Sequence, residues 1–319
     1  MVIANNSSAT IVRFETPFGN IDVRLFGDAT PASVDNFLDL IDLGAYADTI
    51  VTRSVPGFVI QGGGFRVNTN NLIEASPGPP VENLVPDSEG DLTGILNEPG
   101  LANVSGTIAY ARSSEVDSAT NQWFFNTNNN RANLDFQNGG FTVFGQVLSG
   151  IEVVNDIANL PIGDVSPLLG AFGGSFTDTP LDGLVDQNND GFLTLDDVRI
   201  ENFVTLDITR TAIASSDYSL DGLIDLDDYN LFASQFGNTL QISLLDADPI
   251  LGTALDSDGN GDAIISAADY TVWRDSVTPV GAVVAAAVGV PEPATLGGVV
   301  IAVLAAGFRR PPRKNAGLG

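Results

Sequence analysis

The chain has 319 residues, enough for about two domains and an appendage. Its 40 acidic residues outnumber its 13 basic ones, so a surface with a net charge of −27 repels nucleic acid and favours divalent cations. The chain contains neither cysteine nor histidine, which excludes disulfides, thiolate chemistry, zinc bound by cysteine and histidine general bases. Any catalysis must therefore use arginine, carboxylates, amides or the shape of a pocket.

The first part of the chain has the alternating pattern of β-strands. Residues 10–26 alternate between apolar and polar side chains on both sides of a Pro-Phe-Gly-Asn turn. This pattern predicts two paired strands, with Ile11, Phe14, Val23 and Leu25 on the buried faces.

Two helices are indicated further along. Thr30 fits an N-cap, with Pro31 at the first helical position and Gly44 as the stop. Ser149 and Glu152 fit a capping box that opens a second helix. Short apolar runs fill the chain between them, and many short strands with two isolated helices favour a closed β-barrel plugged by helices.

A glycine triplet interrupts one of these runs, "SVPGFVIQGGGF" at residues 54–65. A phosphate-binding loop would need a helix directly behind the glycines. The chain continues instead as a polar, proline-rich stretch, which argues against such a loop.

Four blocks carry a resemblance to a known family. They are "VTRSVPGFVIQGGGF", "NEPGLANVSGTIAYARS", "SATNQWFFN" and "FTVFGQVLSGIEVV", in the order found in cyclophilin-type peptidyl-prolyl isomerases. The resemblance extends over residues 8–205. It implies a mainly β fold, an eight-stranded antiparallel barrel with two capping helices, in a domain spanning residues 1–208.

The resemblance also implies a chemistry. Rotation about an X–Pro bond crosses a barrier of about 18–20 kcal/mol because amide resonance is lost. An enzyme need only bind the twisted amide better than either planar form. The prolyl nitrogen of the twisted amide is basic, and Arg53 stands where the family keeps an arginine that donates to it.

The remaining site residues are implied by matching positions. The catalytic set is Arg53, Phe58, Gln61, Phe124 and Leu134. The substrate-binding set is Val59, Ala111, Arg112, Gln122 and Phe141. Catalysis would need no cofactor, and the partners would be proline-containing polypeptides. The sequence departs from the family at Asn133, where a tryptophan that helps hold the inhibitor cyclosporin is common.

From about residue 180 an acidic twelve-residue pattern recurs, and it suits calcium loops. Such loops offer side-chain oxygens at positions 1, 3, 5, 9 and 12, a carbonyl at position 7, and glycine at the sharp turn of position 6. The predicted ligands of one copy are Asp217, Ser219, Asp221, Leu223, Asp225 and Asp228. Those of an earlier copy are Asp186, Asn188, Asp190, Phe192, Thr194 and Asp197, in a loop that fits a hairpin closing the barrel.

The last copy allows two registers. Counted from Asp256 it keeps Gly261 at position 6 but loses the acid at position 12. Counted from Asp258 it places Ala263 at position 6, where a positive φ costs an alanine on the order of 1 kcal/mol. We prefer the second register because it restores an acid at position 12. Its predicted ligands are Asp258, Asn260, Asp262, Ile264, Ser266 and Asp269.

The pair of later loops resembles dockerin-type repeats, in which each loop leads into one helix. The resemblance implies a small α-helical, EF-hand-like module at residues 209–278 with structural calcium. Dockerins in some systems bind cohesins, so a cohesin-like partner and a spacer role are both open. Because the barrel should have its own apolar core, we expect isomerase turnover to respond little to a chelator.

The final segment, residues 279–319, resembles the PEP-CTERM sorting signal. It combines Pro291-Glu292-Pro293, a mostly apolar stretch from Ala294 to Phe308, and a basic end. The resemblance implies processing by an exosortase and transient anchoring in a membrane, with the basic end inside.

Together these features predict an exported peptidyl-prolyl isomerase at the cell surface, in the outer envelope or in the extracellular matrix, although no N-terminal secretion signal is visible. Two alternatives remain open at the level of the sequence. One is a barrel that binds proline-containing segments without isomerising them, and the other is a calcium-dependent docking protein.

Overall fold

A computed structural model describes residues 8–70, 72–80, 83–86, 92–187, 194–241 and 255–277. The sorting motif and the apolar stretch of the predicted tail lie outside these residues. Within the described part of the chain, no helix is long and apolar enough to cross a membrane.

The fold is mainly β, and most of its strands belong to one antiparallel sheet. The strands of this sheet are β1 Ile11–Thr16, β2 Gly19–Leu25, β3 Thr49–Val55, β4 Val59–Val67, β5 Ile73–Ala75, β8 Thr107–Tyr110, β9 Trp123–Asn126, β10 Val143–Ser149 and β13 Thr205–Arg210. The short strands β6 Val85–Pro86 and β7 Leu92–Gly94 form one separate pair, and β11 Ile162–Gly163 and β12 Thr179–Pro180 form another.

The large sheet closes into a barrel. Its strand order is β3-β13-β1-β2-β10-β8-β9-β4, and β4 pairs again with β3, while β5 extends the far end of β4. The predicted eight-stranded antiparallel barrel is therefore confirmed. The closing strand β13 ends at Arg210 and comes from a region far along the chain.

Alternating side chains of the strands fill the barrel interior. All four residues predicted for the buried faces of the first hairpin are at most 2% exposed. Aromatic rings dominate the centre, where Phe14 contacts Trp123 and Phe125 edge to face at 5.1 Å between centroids. Burial of such rings is the main favourable contribution to folding.

The described residues contain five α-helices, α1 Pro31–Asp42, α2 Arg131–Leu134, α3 Ile151–Ala158, α4 Leu226–Gln235 and α5 Ala267–Ser276. Helices α1 and α3 insert apolar faces into the barrel core. Thr30 is the N-cap residue of α1 and Pro31 follows it in the first turn, as predicted. The Thr30 hydroxyl makes no capping bond and donates instead to the Phe26 carbonyl.

The capping box predicted for α3 is wrong. Gly150 is the N-cap, with a left-handed φ of 86°, and makes no side-chain capping bond. The Ser149 hydroxyl donates instead to Asp22 on β2, 3.0 Å away. The Ser149 hydroxyl, which the local sequence pattern assigned to the helix cap, is therefore hydrogen-bonded to a carboxylate on the neighbouring strand.

Helices α4 and α5 follow the two later acidic loops, as predicted. Asp225 and Ser266 cap them, each accepting a backbone N–H two residues ahead. The aromatic rings of Tyr229 and Trp273 pack 5.2 Å apart between the two helices. These loops and helices form the repeat module, which we define as residues 212–241 and 255–277.

The repeat module shares an apolar cluster with the barrel. Phe26, Leu101 and Phe124 of the barrel region belong to the same buried cluster as Leu240 and Trp273 of the module. The barrel does have its own core, as expected, but the two parts also have a common one.

Candidate active site and acidic loops

Three neighbouring strands place the central predicted residues side by side. Arg53 on β3 lies opposite Gln61 on β4, and Gln61 lies opposite Phe124 on β9. Residues opposite one another across antiparallel strands present their side chains on the same face. Ile60 and Phe125 belong to the barrel core, so this face is the outer one.

On this face the structure has a pocket of about 210 Å³. Nine predicted site residues line it: Arg53, Phe58, Val59, Gln61, Ala111, Arg112, Phe124, Leu134 and Phe141. The tenth, Gln122, lies beside it, where its Oε1 accepts a hydrogen bond from Gln61 Nε2 at 2.9 Å. The structure thus brings all ten residues together.

The floor of the pocket is apolar. Val59, Phe124 and Leu134 are 3%, 4% and 6% exposed. The Phe141 ring stands edge to face against Phe124, with centroids 6.0 Å apart. A cup of this size and composition suits a small saturated ring such as that of proline.

Arg53 forms the polar side of the pocket. The Arg53 side chain is 38% exposed, and its Nε lies 4.0 Å from Asp178 Oδ2. At that distance the carboxylate orients the guanidinium without occupying its donors. No spacing in the sequence links Asp178 to Arg53, so the sequence did not reveal this partner.

Arg112, the other cation of the pocket, is engaged with the protein. Its guanidinium lies 4.5 Å over the Phe141 ring and donates to the carbonyls of Asn138 at 2.7 Å and Gly140 at 2.9 Å. Burial lowers the pKa of Arg112. These contacts fix Phe141 as a wall of the pocket.

A buried polar network beneath the pocket was not predicted. Asn130 Nδ2 donates to the Phe58 carbonyl at 2.7 Å, and its backbone N–H donates to the Asn103 carbonyl. Asn103 in turn donates its N–H to Asp135 at 2.8 Å. Since buried polar groups need partners, the network fixes the turn that carries Leu134. The residues of this network are far apart in the sequence, so no sequence motif predicted them.

The glycine triplet lets β4 approach its neighbour β9 closely at the start of that strand. A Cβ at Gly63 would lie 2.6 Å from the Asn121 carbonyl oxygen and 2.7 Å from Trp123 Nε1, and its φ is +89°. A Cβ at Gly64 would lie 2.7 Å from the Gln122 side chain. The glycines therefore allow close packing beside the pocket.

The two later acidic loops have the same backbone form. Positive φ angles occur at positions 4 and 6 in both, at Leu220 (60°) and Gly222 (85°) in one and at Gly261 (77°) and Ala263 (63°) in the other. The structure thus has the register counted from Asp258, with an alanine in the left-handed region at position 6.

Their hydrogen bonds also match. Asp217 and Asp258, at position 1, each accept the N–H of position 6. Asp228 and Asp269, at position 12, each accept the N–H groups of positions 3 and 9. Burial raises the pKa of Asp217, Asp258 and Asp269, with nearby carboxylates adding to the effect.

The other predicted ligands have simpler surroundings. Asp221 and Asp262, at position 5, each accept the N–H two residues ahead. Ser219, Leu223, Asn260 and Ile264 complete the two sets on the same loops. Among described residues, no group of three or more acidic side chains is gathered as a metal site.

The earlier loop is described only at its ends. Asn188, Asp190 and Phe192 lie outside the described residues. Asp197 accepts the N–H groups of Gln187 and Thr194, both at 2.8 Å, much as the other position-12 aspartates do. Short 3₁₀ turns and then the closing strand β13 follow this loop.

Comparison with known proteins agrees with the barrel and its pocket. Residues 11–170 match the family model "Cyclophilin type peptidyl-prolyl cis-trans isomerase/CLD". A peptidyl-prolyl cis-trans isomerase of Acinetobacter baylyi is 38% identical over 164 residues, which cover 50% of this chain and 78% of that protein. Isomerase A of Dickeya dadantii is 39% identical over 163 residues, covering 50% and 77% of the two chains.

Solved structures include a cyclophilin-type isomerase of Cryptosporidium parvum, at 21% identity and a TM-score of 0.42 over 64% of this chain and 99% of that one. The family model and the sequence relatives carry the assignment. The chain belongs to the cyclophilin-type peptidyl-prolyl cis-trans isomerases. It is an enzyme of that type, and the matched region covers the barrel from β1 through the pocket.

Proposed function

We propose that the pocket isomerises X–Pro bonds by a non-covalent mechanism in which Arg53 donates to the prolyl nitrogen. The observation that carries this is the position of a half-exposed guanidinium at the rim of an apolar cup. As the bond twists, the nitrogen gains a lone pair that a fixed donor can stabilise, and the planar amide gains nothing.

The other lining residues have separate tasks. Val59, Phe124 and Leu134 hold the proline ring, with Phe58 and Phe141 at its sides. Gln61 has one amide hydrogen engaged by Gln122, which leaves the other free to hold the carbonyl that precedes the proline. Gln122, Ala111 and Arg112 form the remaining wall for the peptide.

A protease-coupled proline-peptide assay on the full chain tests this mechanism. Arg53→Ala should lower kcat/KM by about 10²–10³-fold, the usual cost of one transition-state donor. Arg66→Ala is the matched control, because Arg66 lies on neighbouring β4 with similar exposure and pairs with Glu74 outside the pocket. Equal activity in both variants would show that Arg53 is not the donor.

We propose further that the two later loops bind structural calcium. The loops offer hard oxygen donors, which calcium prefers. These are the side-chain oxygens of carboxylate, amide and hydroxyl groups and the backbone carbonyls at position 7. Support comes from buried acceptor atoms that have no hydrogen-bond partner, Asp217 Oδ1 and Asn260 Oδ1, in residues 5% and 7% exposed. Binding would draw the loop oxygens together around the ion and satisfy both atoms.

Calorimetric titration of the chelator-treated chain with calcium tests this proposal. Asp217→Ala and Asp258→Ala should each lose one bound ion, whereas Asp35→Ala, an exposed site on α1, should lose none. A third ion that disappears in Asp186→Ala would extend the proposal to the earlier loop. A wild-type chain that binds no calcium would refute it.

We also propose that the enzyme acts on exported or surface proteins. The support is the tail pattern, with its Pro-Glu-Pro motif and basic end, and the proposed processing enzyme is an exosortase. Of the two roles considered for the repeats, a structural one is better supported than a cohesin-like partner, because the module packs against its own barrel.

A further inference from the structure

The second acidic loop is attached directly to the barrel. The Gly261 carbonyl accepts the N–H of Asp28 at 3.2 Å and of Ala29 at 3.3 Å, in the turn between β2 and α1. The Gly259 carbonyl accepts the N–H of Ala9 at 2.8 Å. Asp258 itself is fully buried.

A buried arginine of the barrel strengthens this attachment. Arg24 on β2 points away from the barrel core, yet it is 0% exposed because the repeat module covers it. Its guanidinium donates to the carbonyls of Leu255 at 3.1 Å, Ser215 at 3.2 Å and Asp256. A buried charge held in this way fixes the relative position of the two parts.

From this loop a hydrogen-bonded ladder leads toward the pocket. Residues 263–265 exchange bonds with residues 237–241, through Ile265 N–H to the Asn238 carbonyl at 2.9 Å and Leu240 N–H to the Ala263 carbonyl at 3.2 Å. On its other side the same segment bonds the barrel, since the Leu240 carbonyl accepts the N–H of Ala102 at 2.9 Å. Gln241 also bridges Leu101.

The ladder ends beside the polar network under the pocket. Ala102 is followed by Asn103, whose carbonyl accepts the Asn130 N–H at 2.8 Å. The Asn103 side chain donates to the Phe141 carbonyl at 3.3 Å, and its N–H donates to Asp135 at 2.8 Å. These bonds position two lining residues, Phe141 and Leu134, the last residue of α2.

We propose that the second loop is a calcium-dependent support of the proline pocket, acting through the ladder and the positioning residue Asn103. An ion held by residues 258–269 would order Ala263–Ile265, and through them the segments that fix Leu134 and Phe141. This inference rests on the calcium and isomerase roles proposed above. It replaces the expectation that turnover is indifferent to a chelator.

The first loop provides an internal control. Asp221 and Leu223 are exposed, and within the described part of the chain the hydrogen bonds of residues 217–228 stay inside the repeat module. An ion lost from this loop should leave the ladder intact. The two loops therefore predict different effects on the pocket, although their own geometry is the same.

The experiment compares Asp258→Ala with Asp217→Ala in the full chain at saturating calcium. We measure KM for an Ala-Pro tetrapeptide, and amide hydrogen exchange at Ala102, Asn103 and Leu134. Asp258→Ala should raise KM by about fivefold or more, in the usual range of coupling between sites, and speed exchange at these amides. Asp217→Ala should change neither. Protected amides at Val12 and Val23, in the β1–β2 pair, verify that the barrel is folded.

The outcomes separate the two proposals. If both variants lose one ion but behave alike in KM and in exchange, the coupling is refuted and the calcium sites stand. If the wild-type chain binds no calcium, both the calcium proposal and the coupling are refuted, whatever the isomerase activity. A selective effect of Asp258→Ala, with the barrel amides still protected, supports the coupling.

Discussion

At the scale of single residues, the pocket combines the guanidinium of Arg53, a second guanidinium engaged by backbone carbonyls at Arg112, the amide of Gln61 and apolar side chains. Its lining contains no carboxylate, and the whole chain contains no histidine. Stabilisation of a twisted amide needs a donor that stays charged, which arginine provides over the whole physiological range. Proton transfer to or from the protein has no part in this mechanism.

This composition predicts a flat pH profile. At saturating calcium, kcat/KM for an Ala-Pro peptide should change by less than about twofold between pH 6 and 9, because histidine is the side chain that ordinarily titrates there. Stopped-flow assays across this range provide the measurement. A bell-shaped or sigmoidal profile would reveal a titrating catalytic group outside the proposed set.

Removal of the Gln61 amide is predicted to lower kcat/KM. Gln61→Leu keeps much of the side-chain volume but removes the amide that would hold the peptide carbonyl, so kcat/KM should fall about tenfold, equivalent to one hydrogen bond of about 1.4 kcal/mol. Gln137→Leu, at an exposed turn residue, is the matched control. Unchanged turnover in Gln61→Leu would assign the carbonyl to another donor.

At the scale of elements, strand β4 depends on its glycines. Gly63→Ala should lower the free energy of unfolding by about 2–3 kcal/mol, because its Cβ would overlap the Asn121 carbonyl and the Trp123 ring. Denaturant titration followed by tryptophan fluorescence measures the change. Gly78→Ala is the control, since its Cβ meets nothing within 4 Å and its φ is not positive. Equal stability of the two variants would contradict the close approach of β4 and β9.

Elements that are determined by residues close together in the sequence could be predicted. The β1–β2 hairpin, α1 and the loops that lead into α4 and α5 follow from patterns within about a dozen residues. The positive φ at Ala263 followed from the spacing of aspartates alone. The pocket residues could be predicted because four sequence blocks, in the same order, resemble those of a known family. The periodicity of any single strand would not have identified them.

Elements that depend on distant partners could not be predicted in the same way. Ser149 matched a helix cap, but its hydroxyl donates to Asp22, a residue distant in the sequence. Helix α2 has only four residues, too few for a period. The bonds from Asn103 to Asp135 and from Leu240 to Ala102 join residues far apart in sequence, and only the closed barrel brings them together.

At the scale of the whole molecule, the barrel and the repeat module share a buried cluster and a buried arginine. We therefore predict that they unfold together. Differential scanning calorimetry of the calcium-loaded chain should show one transition for both parts. Removal of calcium should lower its midpoint, since an ion at a hundredfold excess over Kd contributes about 2.7 kcal/mol. Two transitions, with only the lower one sensitive to the chelator, would show that the parts are independent.

The central claim is that Arg53 stabilises the twisted amide and contributes little to binding of the planar peptide. NMR exchange spectroscopy of an Ala-Pro peptide with the full chain measures both properties on one sample. Arg53→Met keeps an apolar stem but removes the donor. The account predicts that cis–trans exchange falls about 100-fold or more in this variant, while the peptide still shifts the signals of Phe124 and Leu134. Exchange at the wild-type rate in Arg53→Met, or loss of peptide binding in step with exchange, would contradict it.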